Sequence, residues 1–187
     1  MFQEIIARIA TSLSHCQIPY IAIGGQAVLL YGEPRLTADI DMTVGITADN
    51  LSDLLVAVEE AGLIVLTDDP TAFVQETMVL PARDQDTGVR VDFILSFTPY
   101  EAEAIKRARF IMIGGVKVAF AAPEDVIVHK IFAGRPRDIE DVRGILIKQE
   151  GLDFVYIERW LREFDSTFPE KRFLGTFKDL ADSREPQ

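Results

Sequence analysis

Two aspartates one residue apart, Asp39 and Asp41, are the side chains of this sequence whose type and spacing best suit chemistry. They lie in the run Asp-Ile-Asp-Met-Thr-Val, whose alternation predicts a β-strand over 39–46, and residues i and i+2 of a strand face the same side of a sheet. Two carboxylates held that close repel each other unless a cation lies between them. Carboxylate oxygens are ligands that Mg²⁺ prefers, and Mn²⁺ accepts them too. The pair therefore predicts a divalent metal site.

A second chemical feature precedes the aspartates. Gly24 and Gly25 separate the short apolar run Tyr20–Ile23, which predicts a buried strand, from a predicted short helix over 26–31. Glycine allows a close approach of the backbone to a ligand, and the free N–H groups at a helix start favour anions. The step predicts a phosphate-binding turn, with a plain strand-to-helix turn as the alternative.

A third carboxylate, Asp92, lies in the run Val-Arg-Val-Asp-Phe-Ile-Leu, which predicts another strand. Alone it would be read as a solvent-facing strand residue. Together with the Asp39–Asp41 pair it predicts the third ligand of a metal site.

A bare Asp-x-Asp has other interpretations. It is also found on solvated strand faces, in glycosyltransferase metal sites and in phosphatases that form a phosphoaspartate. The phosphatase aspartate normally follows a long apolar strand, whereas Leu-Thr-Ala precedes Asp39. The combination with the Gly-Gly step and Asp92 favours the metal site.

The elements that must position these residues predict an α+β fold. Apolar spacing indicates a helix over 2–16, paired runs indicate antiparallel strands over 75–81 and 89–95, and Gly114-Gly115 indicates a hairpin. Helices dominate after Pro123. We therefore expect a mixed, mainly antiparallel sheet flanked by helices. The predicted divisions are a core over 1–120, a helical C-terminal part over 121–177 and a flexible tail over 178–187.

Composition limits the classes of function. The 187 residues, 48% of them hydrophobic, can form a real core. The net charge of −11 argues against a protein that coats nucleic acid through a basic face. The apolar runs are too short to cross a membrane, the N-terminus does not read as a signal peptide, and Cys16 has no cysteine partner. These features predict no membrane partner and a cytoplasmic location.

The stretch GGQAVLLYGEPRLTADIDMTV, with Arg35 and Thr37 just before the aspartate pair, resembles the signature of the polymerase-beta-like nucleotidyltransferase superfamily. It is most similar to the AbiEii-type toxin and minimal bacterial branch. The resemblance is close over residues 20–45 and looser over 90–95 and 123–145. One departure is Gln26, where many members place Ser or Thr after the glycines.

The resemblance implies an enzyme that transfers a nucleoside monophosphate from an NTP to a hydroxyl. Asp39, Asp41 and Asp92 would be catalytic and would bind Mg²⁺ or Mn²⁺. The residues implied to bind nucleotide in this stretch are Gly24, Gly25, Gln26, Arg35 and Thr37. The implied acceptor is an RNA such as a tRNA end, a protein or a small molecule. The AbiEii-like branch further implies a toxin with an antitoxin partner.

A second cluster, His-Lys-Ile-Phe-Ala-Gly-Arg-Pro-Arg-Asp-Ile-Glu-Asp, covers 129–141 and is basic in its first part. By the same resemblance Lys130 would be catalytic and face the nucleotide, with Arg137 and Asp138 organising the site. The alternative is a packing element in which Arg137 pairs with Asp141 at i,i+4 spacing. For the whole chain, the alternatives to an enzyme are a nucleotide-binding module of this fold that no longer catalyses and a plain interaction domain.

Overall fold

The structure, a computed structural model, describes residues 1–96 and 98–183. The chain divides into two compact units. The first comprises Met1–Gln26 and Leu36–Ala121, and the second comprises Ala27–Arg35 and the chain from Ala122 onward. The second unit thus includes the short segment Ala27–Arg35 from the N-terminal half. The predicted division at residue 120 had assigned this segment to the core.

The helices and strands of the described residues follow one another along the chain. The helices are α1 (Phe2–His15), α2 (Gly24–Tyr31), α3 (Leu51–Glu60), α4 (Pro70–Thr77), α5 (Pro99–Lys106), α6 (Pro123–Ala133), α7 (Pro136–Lys148), α8 (Phe154–Thr167) and α9 (Phe173–Asp182). The strands are β1 (Tyr20–Ile23), β2 (Asp39–Val44), β3 (Leu63–Val65), β4 (Val79–Asp84), β5 (Arg90–Leu95), β6 (Arg109–Ile113) and β7 (Val116–Phe120).

The strands form one sheet in the first unit, in the order β3-β4-β5-β2-β1-β7-β6. The β1–β2, β3–β4, β4–β5 and β6–β7 pairs are antiparallel, whereas β2–β5 and β1–β7 are parallel. This confirms the predicted α+β class with a mixed, mainly antiparallel sheet. The hairpin predicted at Gly114-Gly115 joins β6 to β7.

The central strands β2 and β5 each have one buried face. Ile40, Met42 and Val91 are fully buried, and Phe93 is 1% exposed. The residues between them belong to the opposite face, because side chains alternate along a strand. The apolar residues thus fix which face of β2 and β5 is left for polar groups.

One predicted strand is partly wrong. Residues 75–77 belong to α4, and β4 starts only at Val79. The helix forms because Pro70 occupies its first turn and the Asp69 carboxylate accepts a hydrogen bond from the Ala72 N–H at 3.0 Å. The strong N-terminal cap outweighs the strand preference of the residues that follow.

In the second unit, helices α6 to α9 pack around aromatic and aliphatic side chains. The Phe132 ring stacks on Phe173 at a centroid distance of 5.3 Å and meets the Phe164 ring edge-on at 5.2 Å. Helix α9 continues to Asp182 with Leu180 buried, so the segment after residue 177, predicted as a flexible tail, is helical over this part. Residues 184–187 of that predicted tail lie outside the described residues.

Within residues 1–96 and 98–183, none of the helices combines the length and the apolar character needed to cross a bilayer.

Candidate active site

The three aspartates singled out in the sequence lie on neighbouring strands of the first unit. In the parallel β2–β5 pair, Asp41 is the register partner of Asp92, and Asp39 is the register partner of Arg90. Register partners on adjacent strands share a face. We call these four residues the carboxylate patch. Each aspartate is partly exposed, so the patch is open to ligands.

Arg90 supplies a positive charge in the patch. Its Nε donates to both carboxylate oxygens of Asp92, at 3.0 and 2.9 Å. Hydrogen bonding to Asp92 raises the pKa of Arg90, and the charges of Asp92, Asp39 and Asp41 add to this effect. The guanidinium is therefore held in its charged form by all three carboxylates. No feature of the sequence motif singled out this arginine, although its place two residues before Asp92 on a strand puts both on one face.

Gly24 explains how the Asp41 carboxylate fits beside the start of α2. The backbone of Gly24 has φ +63°, and a Cβ added there would lie 2.8 Å from the Asp41 carboxyl carbon and still closer to Oδ2. Any other residue would collide with the carboxylate and would also occupy a left-handed conformation that L-residues disfavour. The Gly-Gly step therefore makes room for a carboxylate, a role that the phosphate-turn interpretation did not include.

Two polar residues that were predicted to bind nucleotide, Gln26 and Thr37, connect α2 to β2. The buried Gln26 side chain donates from Nε2 to Thr37 Oγ1 at 3.2 Å, and that hydroxyl donates to the Asp39 carbonyl at 2.9 Å. This chain of hydrogen bonds fixes the first residue of β2 relative to the helix start. Their predicted contact with nucleotide stays a prediction.

The patch has the donor set for a divalent cation. It offers carboxylate oxygens from three aspartates on one face, which suits Mg²⁺ and Mn²⁺. Over residues 1–96 and 98–183, however, no three acidic, histidine or cysteine side chains already converge on a common metal position. The three aspartates and their strand register suit a divalent ion. Their side-chain conformations do not bring the carboxylates together, because Arg90 binds the Asp92 carboxylate.

The second unit contains the basic cluster, and there Lys130 is buried. Its Nζ lies 2.7 Å from Asp138 Oδ1 and 3.0 Å from Asp141 Oδ2, and only 6% of the residue is exposed. Burial alone would raise the pKa of Asp138, but hydrogen bonds from Arg135 and Lys130 outweigh burial and lower that pKa. Lys130 thus links two buried carboxylates on α7.

Arg35 joins the same network. Its Nε and Nη2 donate to the two carboxylate oxygens of Asp141 at 2.9 and 3.0 Å, a paired geometry that is stronger than a single hydrogen bond. Asp141 therefore binds both Arg35 and Lys130. The sequence spacing had indicated it only as an i,i+4 partner of Arg137. Arg137 lies exposed in the first turn of α7, and its predicted role with nucleotide stays a prediction.

The predicted site residues therefore fall into two groups. Those of the first unit are the patch aspartates Asp39, Asp41 and Asp92, together with Gly24, Gly25, Gln26 and Thr37. Those of the second unit are Arg35, Lys130, Arg137 and Asp138. Spacing along the chain could indicate Asp39 with Asp41, but only the strand register brought Asp92 beside them.

Asp41 and Asp92 lie in register, with Asp39 on the same face, beside the Gly-Gly helix start, and this is the arrangement expected of a nucleotidyltransferase. The chain belongs to the family described as "Nucleotidyltransferase of unknown function (DUF6036)", which matches residues 1–174. The predicted enzyme class is thereby confirmed, and an NTP substrate follows from it. The predicted placement in the AbiEii-type branch is not confirmed.

Solved structures share the fold. An antigenic nucleotidyltransferase-like protein from Paracoccidioides brasiliensis has a TM-score of 0.55 and 17% identity, with 94% of this chain and 91% of that chain covered. The solution structure of the antibiotic-resistance factor ANT(2'')-Ia has a TM-score of 0.61 and 19% identity, covering 90% and 93%. The crystal structure of ANT(2'')-Ia with adenylyl-2''-tobramycin has a TM-score of 0.60 and 20% identity, covering 90% and 99%. No curated protein matches the sequence.

Proposed function

We propose that this protein is a Mg²⁺-dependent enzyme that transfers a nucleoside monophosphate from an NTP, with ATP as the first candidate, to a hydroxyl of a small molecule. The observation that carries the proposal is the register of β2 and β5, which aligns Asp41 with Asp92 and leaves all three aspartates on one open face. Such an array of carboxylates serves no purpose in packing, since the opposite face of the same strands forms the core.

Asp39, Asp41 and Asp92 are the residues that would hold the ion. Bound Mg²⁺ would supply positive charge to the triphosphate and to the departing pyrophosphate. The backbone N–H groups that open α2 at Gly24 and Gly25 are suited to phosphate oxygens. In the transfer, the acceptor oxygen bonds to the α-phosphorus while the bond from that phosphorus to the β-phosphate oxygen breaks. Asp92 is the candidate to accept the hydroxyl proton.

Two considerations favour a small acceptor over RNA. The net charge of −11 repels a polyanion and attracts a cation. The fold is also shared with ANT(2'')-Ia, whose crystal structure contains adenylyl-2''-tobramycin. An organic hydroxyl compound that carries positive charge is therefore the acceptor class to test first, with protein and RNA acceptors as comparisons.

The test is incubation of the protein with each α-labelled NTP, Mg²⁺ and separate pools of small cationic, protein and RNA acceptors. We expect label transfer and pyrophosphate release in the small-molecule pool, and loss of about 10²-fold or more in rate for Asp41→Asn, because a charged group that binds the ion is removed. Asp86→Asn is the matched control, since Asp86 is an exposed aspartate of the β4–β5 turn. Equal rates for Asp41→Asn and the wild type would contradict the assignment, and nucleotide binding without pyrophosphate release in any pool would favour a non-catalytic module.

The toxin role and the antitoxin partner, which rest on the resemblance to AbiEii-type toxins, stay predictions. Growth arrest on induced expression, relieved by Asp41→Asn, would support the toxin role. Normal growth of cells that contain the active enzyme would argue against it.

A further inference from the structure

The carboxylate patch contains a cation in the form of Arg90. Asp39, Asp41 and Asp92 repel one another, and their shared face of the sheet makes that repulsion unavoidable. Arg90 reduces it, because its guanidinium bonds both oxygens of Asp92 and lies beside its register partner Asp39. Arg90 thus supplies part of the neutralising charge that is also proposed for the metal.

The two roles exclude each other at Asp92. The Arg90 Nε contacts both Asp92 oxygens, and its positive guanidinium repels a divalent cation brought to the same carboxylate. This agrees with the finding that, within the described part of the chain, three such side chains do not yet converge on a metal position. Binding of an ion by Asp92 therefore requires that the pair with Arg90 opens.

Arg90 is placed so that it can leave. Its side chain is 56% exposed, whereas that of Asp92 is 19% exposed. A mostly exposed arginine exchanges an ion pair for water at small cost, since such surface pairs contribute little free energy. The pair is therefore strong enough to orient Asp92 and weak enough to be displaced.

We infer that Arg90 is a built-in counter-ion that competes with the divalent cation for Asp92 and thereby sets the metal affinity of the site. The inference rests on the proposed function, because it takes Asp39, Asp41 and Asp92 as the metal ligands. Arg90 is a positioning residue in this account, since it acts on the ion through Asp92.

The experiment measures Mn²⁺ binding to the whole protein from the electron paramagnetic resonance signal of free Mn²⁺, without nucleotide. Arg90→Gln removes the competing charge and its hydrogen bonds. Arg90→Lys keeps the charge and loses the two-oxygen geometry. Arg83→Gln is the matched control, because Arg83 is exposed and is the register partner of Arg90 on β4. Its substitution removes the same charge from the neighbouring strand.

We expect Arg90→Gln to bind Mn²⁺ about fivefold more tightly than the wild type, the upper range for release of one exposed ion pair. Arg90→Lys should lie between the two, and Arg83→Gln should bind within about twofold of the wild type. The melting temperature should also respond: without metal Arg90→Gln melts lower than the wild type, and Mn²⁺ raises its melting temperature by more.

Three outcomes would overturn the inference. Unchanged or weaker Mn²⁺ binding in Arg90→Gln, with binding still lost in Asp92→Asn, would refute the competition and leave the proposed metal site intact. Equal tightening in Arg83→Gln would replace the specific pair by a general charge effect. If neither the wild type nor Asp92→Asn bound Mn²⁺, the metal site would be refuted, and with it both the proposed function and the role of Arg90.

Discussion

At the scale of single residues, the site depends on a missing side chain as much as on charged ones. Gly24 lies so close to the Asp41 carboxylate that a Cβ would overlap it. The left-handed backbone at Gly24, with φ +63°, imposes a second requirement for glycine at the same position. Only the first constraint involves the Asp41 carboxylate, so a loss of catalysis on substitution of Gly24 should come from that contact.

The first prediction is that Gly24→Ala lowers the transfer rate by about 10²-fold, because the methyl group displaces the Asp41 carboxylate, and small displacements of catalytic groups have effects of that size. The left-handed backbone adds about 1–2 kcal/mol of destabilisation. The measurements are the rate of label transfer and the melting temperature. Gly88→Ala is the control, since Gly88 has φ +73° and no atom within 4 Å of an added Cβ.

Gly88→Ala should show the same backbone destabilisation without the loss of rate. If Gly24→Ala and Gly88→Ala reduced the rate equally, the effect at Gly24 would come from backbone strain alone, and the contact with Asp41 would have no catalytic weight.

At the scale of elements, helix α7 holds the segment that leads from α2 into β2. Lys148 Nζ donates to the Gly32 carbonyl at 3.2 Å, and Gln149 Nε2 donates to the Tyr31 carbonyl at 3.0 Å. Arg35 pairs with Asp141 of the same helix. All these residues belong to the second unit, and the segment they anchor continues directly into the strand that carries Asp39.

The second prediction concerns Lys130, which lies between two buried carboxylates. Lys130→Met should destabilise the protein by about 3–5 kcal/mol, because removal of one partner leaves buried charge uncompensated. Lys178→Met is the control on the same unit, since the side chains of its pair with Glu158 are 52% and 31% exposed and the pair should contribute at most about 1 kcal/mol. Chemical denaturation followed by circular dichroism gives both values.

The alternative for Lys130 is direct contact with nucleotide, which the resemblance implied. It predicts the opposite result, a Lys130→Met protein as stable as the wild type that binds NTP poorly. Calorimetric titration with a non-hydrolysable NTP, run at a temperature where both proteins are folded, distinguishes the two roles.

At the scale of the whole molecule, the two histidines of the chain should influence stability in opposite directions. Burial, with a smaller effect of the Lys130 charge, lowers the pKa of His129 to about 4. A hydrogen bond that the His15 ring donates to the Glu60 carboxylate, together with the charge of Glu60, raises the pKa of the exposed His15. The folded protein therefore disfavours a proton on His129 and favours one on His15.

The third prediction follows from the sign of each shift. Because the unfolded state binds the proton at His129 more readily, stability is fully present above pH ~6.5 and falls toward pH ~4, by about 3 kcal/mol at most. His129→Gln should flatten this loss when the free energy of unfolding is measured from pH 7 to pH 4.5. His15 adds stability below its unfolded pKa and loses it as the pH rises through the folded value, so His15→Gln should not flatten the curve.

A loss of stability on acidification that is equally steep in His129→Gln and the wild type would exclude His129 as its source. The buried carboxylate of Asp138 would not replace it as the source between pH 7 and pH 4.5. Hydrogen bonds and the charges of Arg135 and Lys130 keep the pKa of Asp138 low despite burial, and its contribution is lost only as the pH falls through that lowered value.

Local patterns in the sequence were enough to predict several strands and turns. Alternating apolar residues predicted the central strands, and Gly114-Gly115 predicted a hairpin. The pattern of residues 24–41 also indicated a nucleotidyltransferase, which the family match confirms. These features depend on neighbours along the chain, so the chain alone reveals them.

The contacts between residues that are far apart in the chain depend on the tertiary structure. The parallel register of β2 with β5 placed Asp92 beside Asp41 and brought Arg90 into the carboxylate patch, and no local pattern fixes the register of strands so far apart in sequence. Likewise, Asp141 pairs with Arg35 as well as with Lys130 only because the short segment 27–35 folds with the C-terminal helices. Spacing along the chain predicted which carboxylates form the site. Contacts between distant strands and helices determined which cations lie beside those carboxylates.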